Sequence, residues 1–152
     1  MIWKYNGEEI SDIDQFPEGT FGFVYRIYHK PSGKAYIGKK VLYHSLKKKL
    51  TKKELAEIEG QGRRPSYKLT VKESDWKYYW GSNKTLLELK KTSSADDFEK
   101  TILKLAPDKK LLTYYETKYL FVYEVLEKPD NFYNDNILGK FYSKDFQNEI
   151  SI

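Results

Sequence analysis

Tyr25 closes the run Phe23-Val24-Tyr25, and after ten intervening residues Tyr36 opens the run Tyr36-Ile37-Gly38, with Lys39-Lys40 directly behind it. Tyrosine, lysine and carboxylate are the abundant reactive groups of this chain, and together they suit chemistry on a phosphate. Lysine and arginine neutralise the anion, a carboxylate holds Mg2+, and a phenol positions or deprotonates water. Other chemistries have little to draw on. There is no cysteine, and His29 and His44 are the only histidines, which removes thiolate metal sites and leaves almost nothing for multi-histidine centres or Cys/His pairs. Each histidine reads as a solvent-exposed structural residue. No GxSxG elbow occurs, and Gly60-Gln61-Gly62 lacks the GxxxxGK[ST] pattern of a phosphate-binding loop.

The elements that must position the tyrosines are legible. Residues 21–29 and 35–40 are rich in aromatic and β-branched residues and flank the turn signal Pro31-Ser32-Gly33-Lys34, which predicts strand, turn, strand. Alternation places Phe23, Tyr25 and Ile27 on one face and Val24, Arg26 and Tyr28 on the other, so Tyr25 and Arg26 point to opposite sides of the sheet. Residues 1–20, with Gly7 and Pro17-Glu18-Gly19, predict a short hairpin or arm. Thr51 and Glu54 have the spacing of a capping box, which predicts a short basic helix stopping near Gly60. Trp76, Tyr78, Tyr79 and Trp80 crowd one short segment, as core packing or as a base-stacking surface. A short amphipathic helix over 84–91 and a third strand over 98–105 follow. A helix opened by Pro107-Asp108 then runs over 109–126, ended by Pro129, with Glu116 beside its apolar stripe. The tail 129–152 reads as packed irregular structure.

The chain has 152 residues and suits one domain, with an N-terminal arm at 1–20, a basic insertion at about 41–72 and the tail. Its net charge of +5 is unevenly spread: residues 1–29 sum to −3, residues 30–72 to +10 and residues 73–152 to −2. No apolar run reaches the roughly 18 residues of a membrane span, and the acidic N-terminus lacks the order of a secretory signal. The expectation is an intracellular, cytoplasmic protein without a membrane partner.

The two tyrosine motifs resemble those of the GIY-YIG nuclease family. Tyr36-Ile37-Gly38 matches the second name motif, while Phe23-Val24-Tyr25 keeps only the tyrosine of the first. The resemblance continues through Glu116 on a later helix and an asparagine beyond it, Asn134 or Asn136, and so spans about residues 21–140. The Lys39-Lys40 pair and the block at 74–82 look like phage-encoded and restriction-type members. The resemblance implies an α+β domain with a three-stranded antiparallel sheet flanked by helices. It implies a catalytic set of Tyr25, Tyr36, Lys39, Arg63, Tyr67 and Glu116, with Glu116 as the single metal ligand. Gly38, Lys40, Arg64, Lys68, Asn134 and Asn136 would bind substrate. Tyr25 would activate or relay a proton from the attacking water, with Lys39 supplying the charge its phenol needs. The family arginine falls on Arg63 before Arg64, with Tyr67 and Lys68 four residues further on, although Pro65 interrupts a continuous helix there.

The activity implied is Mg2+-dependent DNA endonuclease, with Mn2+ as a substitute, in host cytoplasm if the gene is carried by a phage. Residues 40–72 would lie along the phosphate backbone. The size leaves room for a homodimer or a partner protein in site selection. Two rivals remain. Asp108 followed by Glu116-Thr117-Lys118 superficially matches a PD-(D/E)xK nuclease. A nucleic-acid-binding module without catalysis would use the basic segment and the aromatics.

Overall fold

The computed structural model describes residues 2–57 and 67–150, which fall into two compact units: residues 1–42 with 75–152, and residues 43–74. The first unit begins with a hairpin, β1 (Trp3–Tyr5) and β2 (Glu8–Ile10). Asn6 and Gly7 at its turn both have positive φ, the conformation that two-residue hairpin turns require. β3 (Gly22–His29) and β4 (Lys34–Val41) form the expected second hairpin. In the second unit, β5 (Tyr43–Lys49) leads into α1 (Lys52–Glu57), and β6 (Tyr67–Glu73) returns antiparallel to β5. The first unit resumes with α2 (Lys84–Thr92), β7 (Phe98–Ala106), α3 (Lys109–Val122) and the small pair β8 (Asn136–Ile137) and β9 (Phe141–Tyr142).

The main sheet has the strand order β2-β1-β7-β3-β4, five strands rather than three. The difference lies in the arm. β1 pairs in parallel with β7 because Trp3 is buried beside Phe23 and Tyr25, and its indole N–H donates to the Trp76 carbonyl at 2.7 Å. Burying an indole with its donor satisfied draws the whole hairpin into the sheet.

Alternation along the central strands separates two cores. Phe23, Tyr25, Ile27, Phe98 and Ile102 face one side with Trp3, Trp76 and Leu86. Val24, Ile37 and Ala106 face the other with Leu112, Leu120, Val125 and Leu126. His29 is buried rather than exposed. Its ring lies against Phe98, and its nitrogens meet Ser32 and Ser93 at 2.8 and 3.1 Å.

α3 starts where expected, with the Asp108 carboxylate accepting from the Leu111 N–H at 2.8 Å, but it ends at Val122 and not at Pro129. Glu124 takes φ 53°, and the N–H groups of Glu124 and Val125 bond back to Phe121 and Leu120. This left-handed cap turns the chain so that Val125 and Leu126 enter the core instead of extending the helix.

Within the second unit, Thr51 and Glu54 exchange the capping-box contacts that open α1. The expected stop near Gly60 lies outside the described residues. The ribbon of β5 and β6 is a strand pairing that the basic composition of this stretch does not reveal.

Candidate active site

Cross-strand register sets the geometry. Tyr25 is the partner of Gly38, Ile27 of Tyr36 and Phe23 of Lys40, so Tyr36, Gly38 and Lys40 share the face of Tyr25. Against β7 the register shifts between Val24 and Tyr25, with Leu103 the extra residue on β7, while the pairing with β4 runs on unbroken. The Tyr25 phenol lies across Gly38: a Cβ there would stand 2.5 Å from its hydroxyl. Gly81, at φ +83°, closes the other side, with a Cβ position 3.1 Å from the same oxygen and 3.2 Å from the Tyr36 ring. Gly38, which the resemblance gives to substrate, carries a phenol of the protein itself across its face.

The segment after Asp75 supplies groups that sequence reasoning did not assign to the site. A short helical turn at Trp76–Tyr78 buries Trp76 in the core. Tyr79 then stands edge-on to Tyr25, with centroids 5.9 Å apart. Lys40 lies over the Tyr79 ring at 4.0 Å and pairs with Asp75. Ser82 reaches the Tyr36 hydroxyl at 3.4 Å. The turn residues at 81–83 were the available signal, since they mark a tight return of the chain just beyond an aromatic cluster.

Lys39 follows the opposite parity and meets α3. Its ammonium group donates to the Thr113 hydroxyl at 3.0 Å and lies 4.0 Å from the Glu116 carboxylate. Thr113 and Glu116 are three residues apart and so share one helix face. Asn134 is buried beside β4. Its side-chain oxygen accepts from the Ile37 N–H at 3.0 Å and its amide donates to the Ile37 carbonyl at 2.8 Å. Both bonds are spent on holding the strand between Tyr36 and Gly38. Asn136 accepts from the Gly139 N–H and donates to Asp135, which closes a turn.

Burial dominates the electrostatics. It pushes the Tyr25 phenol well above its usual pKa, and Tyr36, Tyr79 and the Glu116 charge push it further. Tyr36 is raised for the same first reason, with the Ser82 hydrogen bond acting against the shift. Burial also raises Glu116, and Lys39 partly offsets it. The Glu116 charge thus reaches both phenols. Lys39 does not supply the cation expected beside Tyr25, because strand alternation directs it to the helix side. On the tyrosine face Lys40 lies over the Tyr79 ring beside the site.

The structure therefore brings Tyr25, Tyr36, Gly38, Lys40, Lys39, Glu116 and Asn134 together around one edge of the sheet. Arg63 and Arg64 lie outside the described residues. Tyr67 and Lys68 open β6 of the second unit, opposite Lys49 and Lys48, and their side chains are not among those described. Among the described residues no cluster of three or more His, Cys, Asp or Glu forms, and no helix is long and apolar enough to cross a membrane. Asp108 caps α3, and Lys118 is exposed on the same helix as Glu116.

On one hairpin the structure thus sets two buried phenols over a glycine, and a carboxylate on a later helix whose charge reaches them. The family model described as "Putative endonuclease segE, GIY-YIG domain" matches residues 3–137. The chain belongs to the GIY-YIG nuclease family, in its segE-like branch. No curated protein and no solved structure gives a match.

Proposed function

We propose that this chain is a metal-assisted endonuclease that hydrolyses phosphodiester bonds of duplex DNA. The observation that carries the reading is the convergence of Tyr25, Tyr36 and Glu116, two register-linked phenols over Gly38 and a half-buried helix carboxylate whose charge reaches both. A binding module without catalysis has no use for such an arrangement.

The donor set suits Mg2+. Glu116 offers a hard carboxylate oxygen, and its Lys39 partner stands at 4.0 Å, beyond hydrogen-bond distance. Mg2+ characteristically takes one or two carboxylates and completes its shell with water and phosphate oxygens. When bound, such an ion polarises the phosphate and stabilises the leaving oxygen. Mn2+ fits the same donors.

Tyr25 is a neutral phenol at neutral pH, so its oxygen accepts a hydrogen bond from the attacking water. The water's O–H bond breaks as its bond to phosphorus forms, and the proton leaves to solvent while Tyr25, braced edge-on by the Tyr79 ring, keeps the attacking oxygen in place. Tyr36 and Ser82 hold the adjoining wall. Lys39 orients Glu116 and balances its charge until substrate arrives. Charge developing on the phosphate falls to an arginine, Arg63 before Arg64.

A plasmid-nicking assay tests the proposal. The native chain should nick or linearise supercoiled DNA with Mg2+ or Mn2+ and not in EDTA, and Tyr25→Phe and Glu116→Gln should both be inactive. Undiminished cleavage by both variants would sink it.

A further inference from the structure

The second unit holds the chain's entire charge imbalance. Residues 43–74 contain nine lysines and arginines against four glutamates, a net +5 that equals the net charge of the whole protein. Its β-ribbon does not disperse these charges. Lys48 is the register partner of Lys68 and His44 of Lys72, with Leu46 paired to Thr70 between them. Like charges directly opposite one another destabilise a strand pair, and a two-stranded ribbon alone is marginal in water. Lys52 and Lys53 add to this in the first turn of α1, where the helix dipole disfavours cations. The described base of the ribbon is open on both faces: His44 and Lys72 are exposed on one, Tyr43, Ser45 and Val71 on the other, with Val71 68% accessible. These placements lower the unit's own stability, and a polyanion would reverse their sign.

We infer that the ribbon β5–β6 enters the major groove of B-form duplex DNA, an inference that rests on the endonuclease reading above. Strands about 4.8 Å apart, with their side chains, fill a groove roughly 12 Å wide, whereas the minor groove of roughly 6 Å excludes them. A seven-residue strand extends about 23 Å and so follows some two-thirds of a helical turn of about 34 Å. Lysines on the inserted face meet the phosphates that rim the groove, and Ser45 and Val71 on the other face add polar and apolar contact. Duplex RNA is a poor host because its major groove is deep and too narrow for side chains.

Fluorescence anisotropy in EDTA tests this with the full-length chain and a labelled DNA duplex of about 30 base pairs. The DNA should bind at least about tenfold more tightly than an RNA duplex of the same sequence. Methyl green, which occupies the major groove, should compete, while netropsin in the minor groove should leave affinity within about twofold. The triple variant K48S/K68S/K72S should bind at least about tenfold more weakly. Its salt dependence should flatten by roughly 0.9 logarithmic units for each phosphate it no longer neutralises. Its melting temperature should not fall, since like-charge pairs have been removed. Equal affinity for RNA, competition by netropsin alone, or a stable triple variant that binds like the native chain would each overturn the ribbon while leaving plasmid cleavage intact. A native chain that neither binds nor cuts any duplex would overturn the ribbon together with the endonuclease reading.

Discussion

The hydroxyl of Tyr25 occupies the space over Gly38, within 2.5 Å of where a Cβ would lie. The two residues are register partners on adjacent strands, so any side chain at position 38 displaces the phenol. Gly38→Ala should therefore cost about 1–3 kcal/mol of stability and reduce cleavage at least about a hundredfold. Thermal melts and nicking rates measured side by side check both effects, and a native-like rate would show that Tyr25 need not stay where it is.

Glu116→Gln should be inactive yet more stable than the native chain at neutral pH. Burial raises the carboxyl above its unfolded pKa, so the stability it contributes is present below the unfolded pKa and lost as pH rises through the folded one. Removing the charge removes that loss, a gain of roughly 0.5–1 kcal/mol that urea melts at pH 4 and pH 8 would resolve. Gain at pH 8 and none at pH 4 is the expected pattern.

Tyr79→Phe keeps the ring against Tyr25 and under Lys40 but removes a hydroxyl from the wall of the site. Single-turnover cleavage should slow by about ten- to a hundredfold, with DNA affinity and melting temperature unchanged. Lys77→Met, which alters an ammonium 5.8 Å from the Trp76 ring, is the matched control and should cleave normally.

Asn134→Ala breaks both hydrogen bonds to Ile37 and leaves the strand's N–H and carbonyl without those partners. A loss of about 2–4 kcal/mol is expected. Hydrogen exchange should locate the loosening at Ile37, between Tyr36 and Gly38.

Lys100 is buried between Trp3 and Trp80, its ammonium 4.1 and 4.8 Å from their rings, with no hydrogen-bond partner among the described residues. Burial, aided by Lys90, pushes its pKa down to about 7. Between that value and the unfolded value of 10.5 the unfolded chain binds more protons, so stability should rise with pH, by about 1.4 kcal/mol per unit from this group. Lys100→Met should flatten the rise and stabilise the protein at pH 7, read from urea melts between pH 6.5 and 9.5.

Local order along the chain determined which residues form the β3–β4 hairpin, which of its faces carries Tyr25, and where α2, β7 and the start of α3 lie. Alternation and turn residues act over a few positions and need no knowledge of what packs against them. The motif pair also identified the family. What only the tertiary structure decided depends on contacts between distant segments: the arm's entry into the sheet through Trp3, the early end of α3 at Glu124, the pairing of Lys39 with Glu116, and the arrival of Tyr79 and Gly81 beside Tyr25. The family resemblance implied Lys39 beside the Tyr25 phenol, whereas the cross-strand register turns it to the other face, and which cation stands near the phenol depended on where Asp75 and Tyr79 fold back. The aromatic block at 76–80 shows the limit most clearly. Its composition is that of a core segment, and Trp76 is one, yet the Tyr79 ring packs against Tyr25 at the candidate site and Gly81 closes in beside the same phenol.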